Sequence, residues 1–495
     1  MQDLTSIKDR TFPVGMNDKY RPEDLPDGYC VDAKNCFLEE RKIKEATGCT
    51  MIANNTGEDK PILGLAAFKT STVNQLLKFN DNSTGSAANL FYWTGSGNWT
   101  KVNSPSFTAG KEIEVEVASG NAYITNGAYT PKKWDGTTLT DVTSFPVTPY
   151  IKWFHNYMWA FGTNHRLYFS NLGDPETWGA SDYIDISPND GDVPTGLSTL
   201  KDELIIAKRN RIWSFTGWTS SSFTVKDINE KIAGYGSVAN CFVNTGNDLY
   251  YLSYVGDIPH FRSLQRTRYA TIVAGGIISD DIQNTMNSLS KTQLSKMTGF
   301  YDGRRVWFFV PSGSSSYNDL ILIYDTTTKG WVRQTGKYGA KVAISDVTGQ
   351  PIIYFGDSRN SKVYKLDTSN SNDGEPIDFQ FISRRYMPDF KRKFKWKYLW
   401  MTGGAVGDVD VGVSTSHDGF NYVSQGNFNL KNPGSLFSFS FPAKLGVPDI
   451  VFKRFNLAYG PKHAMQLKLT KSDTGARAVI RDWEFLAQAK PLRPT

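Results

Sequence analysis

The sequence predicts an all-β protein, a β-propeller with an N-terminal arm and a C-terminal β-sandwich-like domain. Three observations lead there. First, 14% of the 495 residues are aromatic, with 13 Trp, 24 Tyr and 30 Phe. That usage suits half-buried pleated strands and opposes both disorder and a helical bundle. Second, short aromatic or β-branched runs alternate with Gly, Asn and Asp turns, and comparable runs recur every 35–50 residues or about one propeller blade. Third, helical periodicity is scarce; the best stretch, residues 282–297, is broken by polar residues.

The length allows roughly two to four domains. Residues 1–60 carry two Pro-bounded turns and little periodicity, so they read as an arm with the first strands, packing on the body or on a neighbour. Residues 61–370 read as the propeller. Leu90–Trp93 runs into Thr94-Gly-Ser-Gly97, and Ala122–Thr125 into Asn126-Gly127, a pair that favours a type I′ hairpin because both residues accept positive φ. The runs at Arg166–Ser170, Arg211–Phe215, Asp248–Leu252, Arg305–Val310, Leu320–Tyr324, Ile352–Phe355 and Lys362–Leu366 continue the series. Trp331 opens a strand after a polar turn and is expected to plug the widening gap between two blades. Near Asn370–Gly374 the composition turns polar, and residues 371–495 form the third unit. Its runs Leu399–Met401, Val409–Val413, Phe437–Phe441, Phe455–Tyr459 and Met465–Leu469 include clean alternation, as in a sheet with one buried face.

Charge and motifs narrow the function. Lys+Arg 55 against Asp+Glu 49 gives +6, too little by itself to announce a nucleic-acid binder. The first residues have no apolar signal-peptide core, and the apolar runs have strand length, so a soluble protein with no membrane span is expected. Cys30, Cys36, Cys49 and Cys241 lack metal-ligand spacing and are expected to be reduced thiols, with no metal. The carboxylates of Asp182, Asp185, Asp190 and Asp192 lack the closing Glu of a Ca²⁺ loop and read as a solvated loop. No nucleophile elbow, phosphate loop or His-Glu-x-x-His motif occurs, so neither catalysis nor a cofactor is expected. Ser416–Tyr422 is one residue short of a sialidase Asp-box and reads as a hairpin turning at Asp418-Gly419.

The most unusual segment is Arg384–Trp400. From Lys391 its side chains alternate, which in a strand sets Lys391, Lys393, Lys395 and Lys397 on one face and Arg392, Phe394, Trp396 and Tyr398 on the other. Ammonium groups about 6.6 Å apart repel one another. A polyanion or acidic neighbour would relieve that repulsion, although lysines also protect an edge strand from aggregation. A second basic group, Arg262, Arg266 and Arg268, is expected in a loop.

Several motifs, taken in order, resemble those of a known family. Phe12–Asn17 (Phe-Pro-Val-Gly-Met-Asn), Arg21–Tyr29 (with Leu25-Pro-Asp-Gly-Tyr29), Ala33-Lys-Asn35 and Ile43–Gly48 resemble the N-terminal signature of tail nozzle, or packaged-DNA stabilisation, proteins of short-tailed bacteriophages. Glu45-Ala-Thr-Gly48 replaces that signature's usual basic-Pro-Gly. Leu167–Trp178, Leu320–Trp331 and Ser414–Tyr422 are similar to later segments of the same family. The resemblance implies a noncatalytic virion protein of the tail, assembled in the host cytoplasm as a homo-hexamer below the portal–adaptor ring. Packaged double-stranded DNA would lie in its channel without sequence readout, and tail fibres or spikes would attach nearby. Candidate assembly residues in the arm are Arg21, Pro22, Leu25 and Pro26; the four lysines are candidates to face DNA or an acidic partner. The competing expectation is a carbohydrate-binding or polysaccharide-degrading propeller, with Trp93, Trp99 and Trp134 stacking on sugar rings.

Overall fold

The computed structural model describes residues 4–8, 11–53, 58–102, 106–228, 236–266, 272–405, 408–430, 451–457 and 459–490. Among these, seven four-stranded antiparallel sheets follow one another as propeller blades. Five form separate sheets, spanning 62–101, 114–141, 150–185, 194–227 and 243–277. The sixth, 298–335, and the seventh, which begins at Gly339–Ser345, belong to a larger continuous sheet.

The apolar residues of each blade face the next, so the core is divided among the blade interfaces. Phe68, Leu77 and Phe79 of blade 1 pack on Ile124 and Trp134 of blade 2. Tyr123 of blade 2 packs with Ile151 and Met158 of blade 3. Trp159 and Phe161 of blade 3 meet Leu204, Trp213 and Phe215 of blade 4. Leu200 and Ile205 continue to Leu249 and Tyr251 of blade 5. Trp331 of blade 6 lies 5.4 Å from Phe261 of blade 5 and donates its indole N–H to the Ile278 carbonyl at 2.8 Å, filling the gap that its position predicts. Ile62 and Leu65 of blade 1 share a cluster with Ala343 and Tyr354 of blade 7, so the ring is closed.

The chain supplies only three consecutive strands to blade 7. Its outer strand is Cys49–Met51, paired antiparallel with Val363–Leu366 in the register Met51↔Tyr364, Thr50↔Lys365 and Cys49↔Leu366. The expected division at residue 60 therefore falls inside the propeller's closure. The rest of the expected arm is woven into the C-terminal unit. Tyr29–Lys34 pairs with Glu375–Tyr386, Lys42–Glu45 with Ala478–Ala489, and Thr5–Ile7 with the same last strand. These strands are short, and their partners lie hundreds of residues away, so no local periodicity reveals them.

The C-terminal unit is a sandwich of two sheets. One runs Val423–Leu430, Val409–Ser416, Met465–Asp473, Glu375–Tyr386 and Tyr29–Lys34; the other runs Val451–Asn456, Phe394–Ala405, Ala478–Ala489, Lys42–Glu45 and Cys36–Glu39. Phe381, Trp396, Met401, Val411, Leu469 and Phe485 share the core between them. The Phe437–Phe441 run lies outside the described residues. The stretch expected to be helical forms only the five-residue helix Gln283–Asn287 flanked by short 3₁₀ turns. All four cysteines are buried, and the Cys30 thiol donates to the Gly15 carbonyl at 3.4 Å.

One ion pair joins the sheets through the interior. Glu45 and Lys471 have wholly buried side chains, with Nζ 2.9 Å from Oε1, and the Ala478 N–H donates to the other carboxylate oxygen at 2.9 Å. Burial pushes the Glu45 carboxyl pKa up, and the Ala478 N–H and Lys471 oppose the shift. Removing one partner of such a pair leaves an uncompensated charge, whereas replacing both by apolar groups avoids that cost. Lys471 also lies 2.9 Å from the half-exposed Asp473 carboxylate, so Glu45→Met leaves its ammonium partly compensated. That substitution is expected to lower stability by no more than about 3 kcal/mol, with much of the loss recovered in Glu45→Met/Lys471→Met. Urea denaturation midpoints of the three proteins check this.

Candidate nucleic-acid interface

The basic segment begins in a loop. The strand opens only at Phe394, so Lys391 and Lys393 precede it, and both are exposed. Phe394 and Trp396 are buried, as the alternation predicts. Between Trp396 and Tyr398 the register against the last strand shifts, from Trp396↔Ala487 to Tyr398↔Leu486, which makes Lys397 a β-bulge. The bulge reverses the phase: Leu399 and Met401 become the buried residues, and Trp400 turns outward. Tyr398, expected on the buried face, instead lies under the Arg454 guanidinium at 4.9 Å, with Trp400 5.9 Å from the same group. Arg392, expected beside the aromatics, is in the loop and pairs with Asp389 at 3.5 Å. Among the described residues Lys391, Lys393, Lys395 and Lys397 have no carboxylate partner; Lys395 is exposed and Lys397 half-buried.

The arm candidates fold back on their own chain. Leu25 is buried, and the Pro22 carbonyl accepts the Arg385 N–H at 2.9 Å. Asp27 pairs with Arg384, and Glu23 lies 3.6 Å from Arg385, so the first two arginines of the basic segment are neutralised by the arm. Arg21 and Pro26 remain exposed.

The other sequence candidates are occupied structurally. Asp190 binds the buried Lys208 ammonium at 2.8 Å, Asp185 pairs with Arg166, and Asp192 accepts from the Asn210 amide. No group of three metal-ligating side chains occurs among the described residues. Asp418 accepts the Phe420 and Asn421 N–H groups at 2.9 and 2.8 Å, which lowers its pKa and builds the hairpin turn that its sequence predicts. Trp93, Trp99 and Trp134 are buried between blades and offer no face to a sugar ring. Arg262 lies in the strand Ile258–Arg266 rather than a loop, with its Nε–H donated to Ser253; Arg268 is outside the described residues.

The groups at the propeller axis come from distant parts of the chain and share no motif. Lys341 of blade 7 reaches past blade 1 to Glu112 at 2.8 Å. Asn240, in the segment leading into blade 5, donates its amide to Glu114 of blade 2 at 2.6 Å from the far side of the ring. Lys152 of blade 3 pairs with Glu116. A cavity of about 610 Å³ lies beside Glu112 and Lys341, but the 2.6 Å contact between Asn240 and Glu114 from opposite sides of the ring leaves no bore that would pass a duplex. Burial raises the Glu114 pKa despite the nearby Lys341 charge.

These features define the class as a seven-bladed propeller fused to a β-sandwich, with a cationic surface on one sheet of the sandwich. No family model matches the sequence, and no curated protein does. Among solved structures, the Neurospora crassa Pan2 WD40 domain is similar over 62% of this chain and 89% of its own, at 8% identity and a TM-score of 0.41. The N-terminal domain of Nup159 covers 64% and 99% at 11% identity and 0.37, and a chain of a mitotic checkpoint complex 64% and 93% at 13% and 0.38. The propeller assignment itself rests on the strand registers.

A carboxyl whose folded pKa is raised contributes stability at low pH that is lost as pH rises from about 4.3, the ordinary value, through its folded value. The difference in urea midpoint between wild type and Glu114→Gln should therefore change with pH in that direction and level off above it. A pH-independent difference would remove Glu114 as a titrating group of the axis.

Proposed function

We propose that this protein is a noncatalytic component of a short-tailed phage tail, the nozzle, whose copies form a ring of six below the portal and adaptor. The ring retains packaged DNA and passes it on infection. The observation that carries the reading is the ordered series of nozzle-like motifs from Phe12 to Tyr422. Two physical features support it. The propeller axis is blocked by ion pairs and amide contacts, so a duplex would pass between copies rather than through one. Among the described residues no carboxylate pairs with the ammonium groups of the exposed Lys391, Lys393 and Lys395 or of the half-buried Lys397, and a passing phosphate backbone would supply countercharge. A conduit suits many weak, sequence-independent phosphate contacts better than base readout.

The test is reconstitution with portal and adaptor, followed by native mass spectrometry and electron-microscopy class averages. Six-fold rings with a central lumen are expected; a free trimer that ignores the adaptor would point to a spike instead. Replacing all four lysines by Ser should leave the ring intact while loosening DNA retention. Unchanged retention would sink the lysines' assignment without touching the ring.

A further inference from the structure

A second cationic feature lies at the opposite end of the same strand pair and is assembled from both chain termini. The register between Phe394–Ala405 and Ala478–Ala489 shifts again, from Thr402↔Asp482 to Gly403↔Ile480, leaving Arg481 as the extra residue of a bulge. Bulges re-aim side chains and cluster near functional sites. Arg481 is a wall shared by two neighbouring cavities of about 430 and 340 Å³. Arg477 lines the first, beside Lys42 and Lys44; Lys8 and Arg41 line the second.

Lys42 and Lys44 are partly neutralised by Glu39 and Glu40. Lys8, Arg41, Arg477 and Arg481 have no carboxylate partner among the described residues. The Arg481 Nε–H is enclosed yet finds no acceptor. Glu45, the acid lining the first cavity, is bound to Lys471, and Asp482, lining the second, is exposed at its edge.

We propose that this groove binds phosphate groups of a nucleic-acid backbone, with Arg481 and Arg477 as the principal donors. A guanidinium offers parallel N–H donors that match phosphate oxygens, and Arg477 and Arg481 set two of these groups on the cavity walls. A line of cations passing from one cavity to the next suits an anion with closely repeated charges better than an isolated ion. The inference rests on DNA being the ligand of the proposed nozzle. It is tested on the purified chain alone, so failure of ring assembly and failure of this site are separate outcomes.

The probe is a short random-sequence DNA duplex carrying a fluorophore, titrated by anisotropy at several salt concentrations, with pyrophosphate and poly-glutamate as competitors. Each phosphate contact contributes about −0.9 to the slope of log K against log salt. Arg477→Ser/Arg481→Ser should flatten the slope by about 1.8, and Arg477→Ser alone, in a hairpin that should tolerate it, by about 0.9. Pyrophosphate should compete with the wild type and not with the double variant. An unchanged slope in both variants would overturn the site. Poly-glutamate binding at least as tightly as the duplex, with the same sensitivity to the variants, would reassign the groove to an acidic protein partner. Pyrophosphate binding lost in the variants without any change for the duplex would show a free-phosphate site and overturn the DNA assignment.

Discussion

The pairing of Cys49–Met51 with Val363–Leu366 is the constraint on which the rest of the structure depends. Radial sheets bury their faces only when the ring is complete, because each core cluster belongs to two neighbouring blades. Here the last blade lacks an outer strand until the N-terminal segment returns to it. Closure across some three hundred residues carries a loop-entropy cost that grows only logarithmically with length. Such long-range contacts are nevertheless expected to make folding slow. The approach is close: a Cβ at Gly48 would lie 1.8 Å from the Ser371 carbonyl oxygen, so glycine is required where the strand enters.

The same segment builds the sandwich before it closes the propeller, and this couples the two units. Asp32 receives Nε and Nη2 of Arg333, from blade 6, at 2.7 and 2.8 Å, and the Gln380 amide of the sandwich at 2.7 Å. Asn35 accepts the Thr335 N–H at 2.8 Å and donates to the Asp378 carbonyl. Thirteen residues on from Asp32, Glu45 enters the sandwich interior to meet Lys471. A charged pair there adds little net stability over an apolar one. Its geometry, however, matches only one register of the strands that carry it, which favours a unique closure.

The division of charge follows from this architecture. Opposite charges meet near the propeller axis, while uncompensated positive charge collects along one strand pair of the sandwich. Two bulges on that pair, at Lys397 and Arg481, set cations at opposite ends of it. The phase change at Lys397 also brings Tyr398 and Trp400 under Arg454. The outer face is thus mixed aromatic and basic instead of a uniform row of lysines. Phe452, 68% exposed in the neighbouring strand, extends that character.

Strand content, turn positions and the blade-gap role of Trp331 were determined by the sequence itself, because hairpins and side-chain alternation are local. The Asp418-Gly419 turn follows from φ preferences and short side-chain bonds alone. The type I′ hairpin expected at Asn126-Gly127, by contrast, does not form: only Gly127 takes positive φ, and residues 126–131 make a longer loop in which the Asn126 side chain accepts the Ala128 and Tyr129 N–H groups. Blade number, ring closure and the fate of the arm were decided by tertiary pairing, since nothing near Cys49 states that its partner is Leu366. Leu25, attractive as a free assembly residue, is buried because Arg384 and Arg385 hold its loop. Alternation predicted the burial of Phe394 and Trp396 but failed at Tyr398, because a bulge depends on the partner strand rather than on the bulged one. The groove at Arg481 was hidden for a related reason: Lys8, Arg41 and Arg477 are scattered in sequence, and only pairing of the first strands with the last brings their charges together.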